Sequence, residues 1–557
     1  MSASTVSFTD YTYRQANASA LMNSKLNALK SAVNNHAAFI DILLVGGPGI
    51  FDVRQYGAVG DGVADDTSAI QSAINAAVVA GGGVVSFKAG IYRITAPLSL
   101  VEVRDIAFFG AGRFSTIIRQ VTANTPVIQV NGLWYSRFEG LRFETSASQV
   151  GNGVFELDGN YDGTHHMGVQ GNTFKDCYFA GNASTVDYLF TVVRQGGGAG
   201  QGSENLFLNC HFEGAKLACF TQAGLNALNN TFIGGNFQAF AKHGILAAGG
   251  INLYSVAFQS TYQYAQILNG GFDVVLVNSA GDRVTIDGCR TESMRFLLSD
   301  FSHDTSVTQL THTPSIANWA ATHAFVLDDT VQGVTATGEL KMYRITTAGT
   351  TAGVVPVWPA SGTVADGSVV WTQTNFNVID VARGSISRSS IICGQIVATN
   401  KCEVRGVAFR RLDPLAGSYV VGADAPVVYG CYYESSLSGA ITPFRYGTAT
   451  ALTQISAMDV GEGALTASSG NSGASFKTIA QYRGHGNSSF PILNWWAQIG
   501  GVQSQSFVFA DFAFATAANG VVPGLMLFCS DGTPGDPLAG GGTGCFAYFA
   551  NNRWKGI

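Results

Sequence analysis

Apolar side chains recur along this chain in one short phrase. Aligned copies centre on Leu141, Cys177, Cys210, Gly235, Val256, Cys289, Val407 and Cys431. Three residues earlier stand Phe138, Phe174, Phe207, Phe232, Leu253, Ile286, Val404 and Val428. Two residues later stand Phe143, Phe179, Phe212, Phe237, Phe258, Thr291, Phe409 and Tyr433. The two-residue step is the alternation of a strand with one buried face, and the three-residue step breaks it at a corner. The copies are 36, 33, 25, 21, 33, 118 and 24 residues apart. Apart from the long gap these are solenoid rung lengths, so like side chains stack about 4.8 Å apart.

This pattern predicts an all-β chain: a right-handed, single-stranded parallel β-helix over 51–445. The strands are short and Gly-punctuated, without the helical spacers of a βαβ sheet. Cys177 and Cys210 become inward ladder members. Asn172, Asn205, Asn230 and Asn252, just before the phrase, are expected to chain their amides along the axis. The gap from Cys289 to Val407 must hold an insertion or degenerate rungs. Within it, 343–374 ("YRITTAGTTAGVVPVWPASGTVADGSVVWTQT") reads as a small β-module grafted at about 340–375.

The ends differ. Met22, Leu26, Leu29, Val33, His36 and Ile40 follow a heptad spacing of about two and a half repeats, fitting an amphipathic helix or a short oligomeric stalk in segment 1–50. At 66–79 a helix capped by Asp66 or Thr67, with Ala69, Ile70, Ala73, Ile74, Ala77 and Val78 apolar, is suited to lid the open end of the solenoid. Asp61, Asp65 and Asp66 lack the spacing of a calcium loop, so turn and cap roles are expected. Residues 446–475, Gly- and Ser-rich near their end, read as a linker, and 476–557 as a C-terminal β-sandwich domain for trimer locking or glycan contact.

Composition narrows the classes. Charged residues are only 12% of the 557, glycines number 68 and the net charge is −6, which suits turns and strands and argues against nucleic acid or an anionic membrane as partner. The nine cysteines include no CxxC pair, so no zinc site or disulfide framework is expected, and no metal or cofactor. The N-terminus shows no secretory signal and "FIDILLVGG" is too short to span a bilayer, so a soluble protein made in a cytoplasm is expected. GxSxG, HExxH and P-loop motifs are missing, and "GGGAGQG" (196–202) reads as a loop off a rung.

The stretch "FDVRQYGAVGDGVADDTSAIQSAIN" with "GGGVVSFKAGIYRITAPLSL" resembles the start of pectate-lyase-like β-helix proteins, above all bacteriophage tailspikes. The resemblance is specific over about 51–115, and the rung pattern supports it to about 434. It implies a homotrimer in the virion tail, attached to a tail or baseplate protein through its N-terminus, that binds and often cleaves a bacterial surface polysaccharide. The 343–374 module resembles small inserts of phage tail proteins. No catalytic residue carries over. The alternative is a non-catalytic adhesin or structural tail protein on the same fold.

If Cys and Phe point inward, the residues between and after them point outward. Those columns read Arg142, Tyr178, His211, Asn236, Ala257, Arg290, Ala408, Tyr432 and Glu144, Ala180, Glu213, Gln238, Gln259, Glu292, Arg410, Glu434. Such a polar strip suits a glycan chain, with Tyr178, His211, Gln238, Gln259, Arg290 and Arg295 as candidate contacts. Hydrolysis wants two carboxyl groups about 5–10 Å apart. Glu213 and Glu292, three windows apart at about 14 Å, cannot pair. Asp287 and Glu292 flank one corner and form the preferred pair, near Arg290 and Arg295; Glu139 and Glu144 repeat the spacing. Elimination instead needs a base and a cation. His211 beside Glu213, with Lys216 near, supplies that second reading, and hydrolysis is expected over it.

Overall fold

The computed structural model describes residues 49–158, then 168–412 with short breaks, and beyond these scattered strands as far as Gly556. Strands of successive rungs pair in parallel throughout the solenoid and line three faces. Arg137–Glu139, Thr173–Lys175 and Leu206–Leu208 belong to the first face. Arg142–Thr145, Tyr178–Ala180 and His211–Glu213 continue them on the second. Gln149–Asp158, Val186–Val192 and Ala218–Gln222 form the third. The chain is a parallel β-helix.

The corner between first and second faces is two residues long, and its first residue is left-handed in backbone. From the middle of the solenoid onward that residue is Gly140, Asp176, Asn209, Gly234, Ser255, Gly288, Gln309, Arg388 or Gly406, with φ between +49° and +66°. Gly, Asn and Asp take this conformation with least penalty. That turn explains the three-residue step of the phrase.

Inside, the repeated aromatics form ladders. Phe108, Phe138, Phe174, Phe207 and Phe232 stack on the first face with centroids 4.4–4.9 Å apart. Phe143, Phe179, Phe212, Phe237 and Phe258 do so on the second. Phe155, Phe190 and Phe220 of the third face meet the first edge-on, as Phe155 does Phe174 at 88°. Each fully buried ring is worth roughly 1.5–3 kcal/mol by transfer, and each ring pair about 0.5–1.5 kcal/mol more. Cys177 and Cys210 are buried between the ladders, and burial raises the thiol of Cys177 well above its usual range. One apolar core runs from Val53 to Cys431.

The amide ladder is shorter than expected. Asn172 Nδ2 donates to Asn205 Oδ1 and Asn205 Nδ2 to Asn230 Oδ1, both at 3.0 Å, and Asn230 closes onto Gln222. Asn252 is not a member: strand register puts Ile251 above Asn230. The spacing before the phrase shortens by one residue there, which turns Asn252 to the other side of its strand.

The long gap holds both an insertion and two further rungs. Asp304–Thr308 with Thr311–His312, and Gly384–Ser387 with Ser390–Ile392, stack on their neighbours. The alignment misses them because His312 and Ile391 stand where Phe is usual. Leu297–Ser299 pairs directly with Asn377–Val381, so the insertion leaves the stack unbroken. Inside it Thr330–Val334, Leu340–Thr347, Val369–Thr374 and Thr363–Asp366 form an antiparallel sheet around Trp371, Tyr343 and Trp358. This sheet begins ahead of the 343–374 stretch, with Thr330–Val334 pairing antiparallel to Leu340–Thr347.

At the N-terminal end the helix spans Thr67–Val79 and buries Ile70, Ala73, Ile74 and Ala77 against the core. Asp66 stands at its N-cap without a side-chain cap bond; its carboxylate accepts instead from the Val59 and Gly60 amides. The helix expected within 1–48 lies outside the described residues, as does most of the C-terminal domain. Of the latter, Met526–Cys529, Cys545–Ala550 and Arg553–Gly556 form an antiparallel sheet.

The aromatic ladder gives way to polar groups at its C-terminal end. Thr291 follows Phe258, and its hydroxyl donates to the wholly buried Asp273. Next in the column comes His312, also wholly buried, with no hydrogen-bond partner on either ring nitrogen among the described residues. Burial pushes Asp273 up to about 8, against the opposing bonds from Ser293 and Thr291, and holds His312 down at about 3. Asp273 binds its proton more tightly folded than unfolded, so its contribution is complete at low pH and is lost as pH rises through about 8. His312 contributes fully above the ordinary imidazole value of 6.5, and loses that contribution as pH falls toward about 3. The two slopes oppose each other between pH 3.8 and 6.5, so urea midpoints measured against pH should be level there and fall as pH rises from 6.5 to about 8, by about 2 kcal/mol at about 1.4 kcal/mol per pH unit. Asp273→Asn should remove the fall above 6.5 and uncover one below it, whereas His312→Leu should let the midpoint keep rising down to about pH 4; curves unchanged by both would refute these assignments.

Candidate functional site

The outward columns of the second face are rows of neighbouring side chains. Arg142, Tyr178, His211, Asn236, Ala257, Arg290 and Thr311 stand in direct register, as do Glu144, Ala180, Glu213, Gln238 and Gln259. The strands are short and regular, so consecutive rungs hold consecutive members about 4.8 Å apart.

One cluster in these rows combines acid, base and cation. The Tyr178 hydroxyl donates to Glu213, and His211 Nε2 lies 3.5 Å from the same carboxylate oxygen. The His211 and Tyr178 rings meet at 4.4 Å, and the Arg142 guanidinium lies 4.4 Å over the Tyr178 ring. Arg142 and Arg119 take the two oxygens of Glu144 at 2.6 and 2.5 Å. Glu213 is 36% exposed at its side chain and faces solvent, whereas Tyr178 is buried.

The electrostatics separate the roles. Burial lowers the His211 imidazole; Glu213 opposes this and the Arg113 and Arg142 charges add to it, so the ring is neutral at pH 7. Burial and the charge of Glu213 raise Tyr178 well above its usual value, so it keeps its proton. Burial acts to raise Glu213, but the bonds from Tyr178 and Gln238 and the nearby His211 outweigh it, and its carboxyl lies below the usual range.

The other expected residues are placed differently. Glu292 lies three rungs from Glu213, bonded to Arg290 and at 2.9 Å to Gln259 Nε2. Asp287, expected to face outward beside it, is only 2% exposed and accepts from the Thr308 hydroxyl at 2.6 Å. It sits in an outward position by alternation, yet its surroundings cover it. Arg295 packs 3.8 Å over the Phe272 ring, and Asp380 is its nearby charge. Lys216 is 3.7 Å from Asp187 rather than on Glu213, because it lies past the next corner toward the third face. Glu139 is held by Arg137 and Lys175. Gln238 accepts from Asn236 at 3.2 Å and stands beside Glu213. Arg113 escaped the sequence reading, since its loop carries no rung pattern. Among the described residues no three His, Cys, Asp or Glu side chains gather as metal ligands.

Because Glu213 raises His211, Glu213→Gln should lower the His211 titration midpoint, which already lies below 6.5. Imidazole resonances followed against pH check this; an upward shift would contradict the geometry.

Residues 50–265 match the family model described as rhamnogalacturonase A/epimerase, pectate lyase-like. Mannuronan C5-epimerase AlgE3 of Azotobacter vinelandii is 38% identical over 117 residues, 20% of this chain and 6% of that protein. Alginate lyase 7 of the same organism is 33% identical over 152 residues, 26% of this chain and 16% of that one. The chain thus spans only a small part of these relatives' length. Among solved structures, the A-module of mannuronan C-5 epimerase AlgE4 from A. vinelandii has a TM-score of 0.36 at 14% identity, covering 78% of this chain and 98% of that one. Tailspike protein 3 of bacteriophage CBA120 has a TM-score of 0.38 at 10% identity, covering 91% and 69%.

Proposed function

We propose that this chain, a pectate-lyase-like parallel β-helix over residues 50–265, binds and cleaves an acidic bacterial surface polysaccharide by β-elimination on its second face. The carrying observation is the Tyr178–His211–Glu213 cluster, with a neutral imidazole beside two guanidinium groups. Relatives named as an epimerase of mannuronan and a lyase of alginate support a uronate substrate. In this reading Arg142 and Arg113 neutralise the sugar carboxylate, and His211 takes the proton from the adjacent carbon. The electron pair forms a carbon–carbon double bond as the glycosidic C–O bond breaks. Tyr178, kept protonated beside Glu213, gives its proton to the leaving oxygen. Hydrolysis fits less well. Glu144, two rungs from Glu213 at about 10 Å, is taken by two arginines, and Glu292 lies about 14 Å away.

We further propose a homotrimeric tailspike of the virion, supported by the heptad seam from Met22 to Ile40 and by the likeness of the 51–115 stretch. Incubation with polymannuronate, and with capsule and O-antigen preparations, should give new reducing ends together with the ultraviolet absorbance of an unsaturated uronate. His211→Ala and Tyr178→Phe should each slow this by about 10²–10⁴-fold, while Glu292→Gln keeps most activity. Reducing ends without that absorbance would replace elimination by hydrolysis; binding without either product would make the protein an adhesin. Light scattering on the same preparation should give three times the chain mass, and a clean monomer would remove the trimer.

A further inference from the structure

Past the first rung, one connection is longer than the two-residue corner. Between Ile106–Gly110 and Thr116–Gln120 the chain spends five residues, 111–115. Gly110 and Gly140 let this loop lie flat on the corner of the next rung: a Cβ on Gly110 would stand 2.4 Å from the Gly140 oxygen, and one on Gly140 2.9 Å from the Gly110 oxygen. The Gly112 amide donates to Gly140, while Ser115 and Thr116 amides return to Gly112. So pinned, the loop runs along the axis. Arg113 Nη1 donates at 2.8 Å to the carbonyl of Asn209, three rungs on and two residues before His211. The edge of Phe114 meets Tyr178 at 5.8 Å between centroids.

Phe114 is 67% exposed although its loop is held by backbone bonds on both sides. An apolar ring fixed in water beside polar groups presents a flat face for another flat apolar surface. A pyranose ring offers one in its axial C–H bonds. A single ring is too small for a stable contact with a second copy, which needs about 800 Å² per partner. Arg113 has five N–H groups, and the Asn209 carbonyl uses one.

We propose that the 111–115 loop is a sugar clamp of the Tyr178–His211–Glu213 site. Phe114 takes the C–H face of the pyranose adjoining the reacting unit, and Arg113 bonds that unit's anionic substituent. The inference rests on the polysaccharide reading above and adds to it the residues that set substrate register. Kinetics of the full chain on polymannuronate should show KM raised about tenfold by Phe114→Ala with kcat within about twofold, and restored by Phe114→Trp. Arg113→Ala should raise KM similarly and lower kcat as well, because the carboxylate loses part of its neutralising charge. Calorimetric titration of mannuronate oligosaccharides into His211→Ala and into His211→Ala/Phe114→Ala should show the same loss without turnover. Equal KM and affinity, with His211→Ala inactive, would overturn the clamp and leave the site standing. A changed oligomeric mass for Phe114→Ala at unaltered affinity would make the ring a subunit contact and also overturn it. Failure of the unaltered protein to bind polymannuronate or any surface polysaccharide would overturn both readings.

Discussion

Everything in this solenoid depends on the in-register parallel pairing of each rung with the next. The backbone bonds fix a step of about 4.8 Å, close to the spacing at which two aromatic rings stack. Phe174 therefore meets Phe207 at 4.9 Å and Phe179 meets Phe212 at the same distance, without adjustment of either strand. The core is built by repetition, so each rung needs only its two neighbours. The insertion around Trp371 and Tyr343 is tolerated for that reason: the rungs on either side of it still pair.

The same step rules the chemistry outside. Residues distant in sequence, such as Tyr178 and Glu213, become bonded neighbours because one rung separates them. Residues three rungs apart, such as Glu213 and Glu292, remain separate sites however alike they are. A face of this kind arranges side chains along a line, which suits a linear polymer. Acid, base and cation meet where adjacent rungs carry different groups in the same columns. The buried Tyr178 and half-buried His211 have their protonation set by the wall of the solenoid, and the exposed edge of Glu213 meets solvent.

At its C-terminal end the aromatic column of the second face gives way to polar groups. Thr291, Asp273 and His312 follow Phe258 there, and burial holds both titratable groups neutral near pH 7. The amide ladder of Asn172, Asn205 and Asn230 shows the opposite solution, with donors and acceptors matched rung to rung. A matched ladder needs no proton exchanged with solvent; an unmatched imidazole must stay uncharged to stay buried.

The sequence by itself determined what repeats. Alternation of Cys and Phe, the corner before Cys, the outward columns and the helix at Thr67–Val79 are local patterns, and local patterns survive in one dimension. It could read the rows of the second face because each rung copies the last. Only the tertiary structure decided what breaks the repeat. Asn252 leaves the ladder through a one-residue shift in spacing, and His312 stands in an aromatic column without resembling it. Asp287 alternates outward but is covered, which no strand pattern records, since cover comes from other segments. Arg113 reaches Asn209 across 96 residues, because the glycines at 110 and 140 let two backbones touch. Contacts along the axis are set by rung count and loop path, and neither is written in the residues that make the contact.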